Sequence, residues 1–115
     1  MVDYKKLDSI PVLMEEYRNA VKDVVPGVGS SRSAKENPTT AFKVEGVKIN
    51  VPELAAYNAA TGLRLRNELP LTYPYVLSFP IVMKILTAKD SPVNAVGLVH
   101  LTNRIEQTRD LTVDD

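Results

Sequence analysis

The chain has 115 residues, 14 Lys+Arg against 14 Asp+Glu, one His, and no Cys or Trp. That length fits one domain or part of a larger one, and an apolar share of 44% provides for a packed core rather than wholesale disorder. Zero net charge argues against a nucleic-acid binder with a broad basic face, the missing Cys removes disulfides and thiolate chemistry, and the single His removes multi-His metal centres.

No apolar run is long enough to span a bilayer. The charged start, Met1-Val2-Asp3-Tyr4-Lys5-Lys6, lacks the apolar centre of a signal peptide. A soluble, cytoplasmic protein is the expectation.

Residues 1–25 read as an amphipathic helix. Leu7, Ile10, Leu13, Met14, Tyr17, Val21 and Val24 recur at spacings of three and four. Asp8 or Ser9 can cap its start, with Pro11 in the first turn, and Val25-Pro26-Gly27 ends it. Its polar face is mixed in sign, which favours packing on the chain's own core over a membrane contact. Residues 26–39 are rich in Gly, Ser, Lys and Pro and read as a linker. Gly27-Val28-Gly29-Ser30-Ser31 within it lacks the spacing of a phosphate loop or a dinucleotide fingerprint.

Thr40–Ile49 reads as a strand. Phe42 and Val44 alternate with Lys43 and Glu45, and the phase slips by one residue at Gly46, as a bulge or sharp bend produces. Asn50 then opens a helix as N-cap, with Pro52 in the first turn and Glu53 at the capping-box position. Leu54, Tyr57 and Ala60 form its expected buried edge, and Gly62 its C-terminal stop. After a loop, Ser78 is placed to cap a short helix with Pro80 in its first turn. Ile81, Val82, Ile85 and Leu86 make that helix apolar all round, so it should be buried, wrapped by a sheet. Val96–Thr108 reads as a long strand. One face carries Val99, Leu101, Asn103, Ile105 and Gln107, the other Leu98, His100, Thr102, Arg104, Glu106 and Thr108. Leu111-Thr112-Val113 opens a further strand.

Catalytic signals are sparse. His100 as base with Ser78 or Ser91 as nucleophile would need spatial convergence, and no Gly-x-Ser-x-Gly elbow is present. Glu15, Glu16, Asp110, Asp114 and Asp115 read as solvated carboxylates without metal-ligand spacing. Tyr73-Pro74-Tyr75 and Phe79-Pro80 suit either ordinary core or the wall of an apolar pocket with one wet end. Asn103, Arg104 and Arg109 are the candidate anion-binding residues, with solvated strand positions as the plainer account.

Two stretches carry a resemblance. Val51-Pro-Glu-Leu-Ala-Ala-Tyr-Asn-Ala-Ala-Thr-Gly62, followed by Leu69-Pro-Leu-Thr-Tyr-Pro-Tyr-Val-Leu-Ser-Phe-Pro80, resembles the N-terminal half of MaoC-like acyl dehydratases. So does Val96-Gly-Leu-Val-His-Leu-Thr-Asn-Arg-Ile-Glu-Gln-Thr-Arg109. These double hot-dog proteins are related to (R)-specific enoyl-CoA hydratases, and the likeness covers about Ala41 to Leu111. It implies an α+β, partial hot-dog fold: an antiparallel sheet wrapped around a central helix, over residues 40–115 and truncated. It implies reversible addition of water to an enoyl thioester, with an Asp base and a His acid in a Gly-Asp-x-Asn-Pro-x-x-His motif. Asn37-Pro38 here has neither that Asp nor that His.

The chain therefore resembles the non-catalytic N-terminal repeat, as a fragment, a truncated product or one half of a split enzyme. Tyr73, Tyr75, Phe79 and Met83 are the implied acyl-pocket residues. His100, Asn103 and Arg104 are implied polar pocket or interface residues. No catalytic residue, metal or cofactor is assigned. The implied partners are an acyl-CoA or other acyl thioester, and a second copy or a catalytic hot-dog chain. The alternatives are an assembly module without ligand, built on sheet edges left open, and a small-ligand binder unrelated to thioesters.

Overall fold

The computed structural model describes residues 3–22 and 38–115. The expected helix end at Val25–Gly27, nearly all of the 26–39 linker, and Asn37 lie outside the described residues. The element order is β1 (Tyr4–Leu7), α1 (Leu13–Lys22), β2 (Ala41–Val44), α2 (Val51–Thr61) and α3 (Tyr73–Leu86). The α+β class expected from the sequence is what these elements form. The described chain divides into two units. One comprises the residues up to Glu45 with Ser78–Leu101, the other Gly46–Leu77 with Thr102–Asp115.

In the first unit the N-terminal segment differs from expectation. Residues 4–7 are a strand and the helix begins only at Leu13. Pro11 accounts for the shift, because its ring drives Ile10 out of the α region. Val12 then supplies the first helical acceptor, its carbonyl taking the Glu15 and Glu16 N–H groups at 3.1 and 3.3 Å. Strand β1 pairs with β2 in parallel, Tyr4 opposite Ala41 through Leu7 opposite Val44. Parallel pairing needs a long crossover, and residues 8–40 span it. Strand β2 stops short of the expected Ile49 because Gly46 takes a positive φ of 68°, the bend that its phase slip announced.

In the second unit α2 matches the sequence closely. The Asn50 side chain accepts from the Glu53 N–H at 3.1 Å, Pro52 sits in the first turn, and Gly62 closes the helix with φ 74°. Its buried edge is Leu54 and Asn58, at 0% and 1% exposure, and Ala60 faces solvent.

Helix α3 starts earlier than expected. The Thr72 carbonyl accepts from the Val76 N–H at 3.2 Å, so Pro74, not Pro80, occupies the tolerant first turn, and Pro80 lies inside the helix. Only Tyr73 and Met83 are buried along it. Val76 and Ile85 are exposed and the rest are intermediate. The expectation of a fully buried helix is thus corrected, and the reason is that among the described residues the sheet has only two short strands, too few to wrap it. Among the described residues the one sheet is parallel, and antiparallel pairing is confined to an isolated Glu68–Thr112 bridge. The expected strand Val96–Thr108 has no regular secondary structure. Its alternating pattern asks for a neighbouring strand, and no described strand is paired with it.

Candidate functional site

The aromatic candidates all lie on α3. Tyr75, Phe79 and Met83 follow at intervals of four, so they share one helix face. Tyr73 lies about a third of a turn round from the centre of that face, where it is 4% exposed and its ring meets Tyr57 at 5.2 Å between centroids. Tyr57 in turn holds Thr72 through a 2.6 Å hydroxyl–hydroxyl hydrogen bond. Burial, with a lesser contribution from Glu53, raises the Tyr73 phenol above its ordinary value. Met83 is 7% exposed, while Tyr75 and Phe79 are half-buried.

The polar candidates lie beyond α3. His100, Asn103 and Arg104 are all exposed, and Arg104 pairs with Glu106. Around them Leu98, Val99 and Leu101 are 51%, 77% and 86% exposed, an apolar run bared to solvent. Arg109 is committed elsewhere. Its guanidinium donates to the Asp115 carboxylate at 2.7 and 3.1 Å, and this pairing holds Asp115 well below the usual carboxylate range. As an anion site Arg109 is therefore occupied from within.

Glu16, read from the sequence as a solvated carboxylate, is instead buried in the first unit, at 4% exposure, because it lies on the face of α1 that packs inward with Ala20. It meets Lys84 Nζ at 3.5 Å and accepts from the Thr87 hydroxyl at 3.5 Å, and Lys84 also sits 5.6 Å from the centre of the Phe42 ring. Helical spacing alone puts Glu16 beside the apolar Leu13 and Ala20, which was the available signal. In the second unit, Arg64 and Arg66 line a shallow concavity of about 420 Å³ together with Glu68, Leu69 and Pro70. A second concavity of about 540 Å³ is lined by Val47, Lys48, Ile49, Val51 and Val113 with the terminal carboxylates. Neither is lined by Tyr73 or Tyr75. Among the described residues no group of His and carboxylate side chains is arranged to hold a metal ion, and no helix is long and apolar enough to cross a membrane.

What the fold defines is a helix-bearing α+β segment with one half-covered apolar helix and an exposed apolar run. Over 78 residues, 68% of its length, the chain is 45% identical to 3-hydroxyacyl-thioester dehydratase X of Mycobacterium tuberculosis. It is therefore related to part of an acyl-thioester dehydratase. The match spans 28% of that protein, so the chain corresponds to little more than a quarter of the relative. No family model matches the chain, and no solved structure matches it.

Proposed function

We propose that the chain is a non-catalytic, N-terminal hot-dog-type segment of an acyl-thioester hydratase or dehydratase, which contributes an acyl-binding surface and an assembly surface. The kinship with a 3-hydroxyacyl-thioester dehydratase is the observation that carries this reading. The family is the MaoC-like one that the sequence resembles, and the setting is cytoplasmic. In it the α3 face of Tyr75, Phe79 and Met83, with Tyr73 at the start of the helix, contacts the acyl chain. A half-covered apolar helix suits an acyl chain, because each buried methylene contributes about 0.8 kcal/mol. His100, Asn103 and Arg104 serve as polar pocket or interface residues.

Chemistry supports the non-catalytic part. Hydration of an enoyl thioester needs a base to activate water for attack at the β-carbon and an acid to protonate the α-carbon. Negative charge collects on the thioester oxygen in between. This chain has one His, in Val99-His100-Leu101, and Lys35 stands where the motif before Asn37-Pro38 calls for Asp. The proton traffic then belongs to a catalytic hot-dog chain or domain that pairs with this one.

Incubating the pure chain with crotonyl-CoA and following the enoyl absorbance should show no turnover. Isothermal titration should show binding, weakened about tenfold by Phe79→Ala, the loss expected from one aromatic contact. Turnover by the chain alone, or no binding at all, would overturn the proposal. The second reading, a module for assembly without ligand, draws on the exposed Leu98–Leu101 run. An oligomer blind to acyl-CoA is its signature.

A further inference from the structure

The Gly62–Pro70 loop of the second unit carries two arginines whose charge the described structure leaves unused. Arg104 and Arg109 are paired with carboxylates, whereas among the described residues neither the Arg64 nor the Arg66 guanidinium has a partner. Both line the 420 Å³ concavity. The backbone that presents them is tied down at both ends. On one side the Leu63 N–H donates to the Asn58 carbonyl at 2.8 Å, and the buried Asn58 amide donates to the Arg64 carbonyl at 3.4 Å. On the other, Val113 donates to the Asn67 carbonyl at 2.9 Å and Leu69 to the Leu111 carbonyl at 2.8 Å. Two guanidiniums on a fixed loop are suited to an anion with several oxygens, since each planar fork can donate two parallel bonds. Glu68 in the same concavity offsets one of the two charges.

We infer that Arg64 and Arg66 form a phosphate-binding subsite. This rests on the thioester reading above, which makes the ligand an acyl group carried on a phosphorylated pantetheine. The shared chemistry is a phosphate ester, present both in free coenzyme A and on the prosthetic arm of a carrier protein. Asn58 is a positioning residue for the loop, because it touches the Arg64 backbone and not the anion.

Titration calorimetry on the 115-residue chain separates the outcomes. Crotonyl-CoA should bind more tightly than crotonyl-pantetheine, which has the same acyl arm and no phosphate. The excess should shrink as salt rises and vanish in the double variant Arg64→Gln/Arg66→Gln, a loss of about tenfold. Glu68→Gln should tighten crotonyl-CoA and leave crotonyl-pantetheine unchanged. Dephospho-coenzyme A thioester distinguishes the sources. Undiminished binding assigns the site to the phosphate next to pantetheine, and weakened binding to the ribose phosphate. Equal affinity of the wild type for the two crotonyl thioesters, or a double variant unchanged for crotonyl-CoA, overturns the inference and leaves the thioester reading standing. A double variant that melts lower without losing affinity has the same meaning, the arginines then serving only the negative end of α2. If neither thioester binds, the thioester reading fails. Inorganic pyrophosphate is then the probe: binding that the double variant abolishes sustains a phosphate site, and no binding ends it.

Discussion

At the scale of single residues, hydrogen bonds to backbone ends account for much of the order. Asp90 accepts the N–H groups of Thr39 and Thr40, each at 2.8 Å, which anchors the start of β2 to the turn after α3. The bonds from Thr40, with that from Thr39, hold its carboxyl below the ordinary value. Lys6 and then Lys43 do the same for Glu45, at 2.7 and 2.9 Å. A depressed carboxyl contributes stability that is fully present above its unfolded value near 4 and is lost as pH falls through the folded value. Melting followed by circular dichroism should therefore be flat above about pH 5 and fall as the pH drops below about 4. Asp90→Asn should lower the melting point at neutral pH and make the acid-side fall shallower. An unchanged acid slope in that variant would assign the loss to other carboxylates.

At the scale of elements, Lys84 joins three of them in the first unit. It reaches Glu16 of α1, lies against Phe42 of β2, and belongs to α3. Glu16 is the more deeply buried partner, with 5% of its side chain exposed against 34% for Lys84. Removing the lysine strands a buried carboxylate, which costs more than the pair itself contributes. Lys84→Met should thus cost about 1–3 kcal/mol in urea unfolding. Glu16→Gln/Lys84→Met should cost less than Lys84→Met alone, because the neutral amide needs no counter-charge. Additive losses would mean the two residues act independently. Helix α2 shows the contrasting case, in which local signals suffice. Its cap, its first-turn proline and its αL glycine all agree, so the sequence alone placed both of its ends.

At the scale of the whole molecule, the unsatisfied feature is apolar surface without a strand to pair it. A two-stranded sheet is marginal by itself, and Leu98, Val99 and Leu101 of the same unit are bared to solvent. Self-association through this run predicts a mass above that of the monomer in light scattering and a melting point that falls on dilution. Leu101→Lys should reduce the mass to that of the monomer, since a charge on a pairing edge opposes association. A monomer with a concentration-independent melting point would show that the run needs a different chain.

The sequence by itself determined the α+β class, the limits of α2, the bend at Gly46 and the departure of Lys35-Glu36-Asn37-Pro38 from the Asp-x-Asn-Pro pattern, because each is written in neighbouring residues. Capping, positive φ and the presence of a side-chain type are local properties, and no distant partner can alter them. Only the tertiary structure decided that Tyr4–Leu7 is a strand, that Glu16 is buried, and that Tyr73 turns to Tyr57. It also decided that Val96–Thr108 has no regular secondary structure. An alternating pattern states what a strand requires of its neighbour without supplying that neighbour, and strand pairing and side-chain burial are set by contacts far apart in the chain.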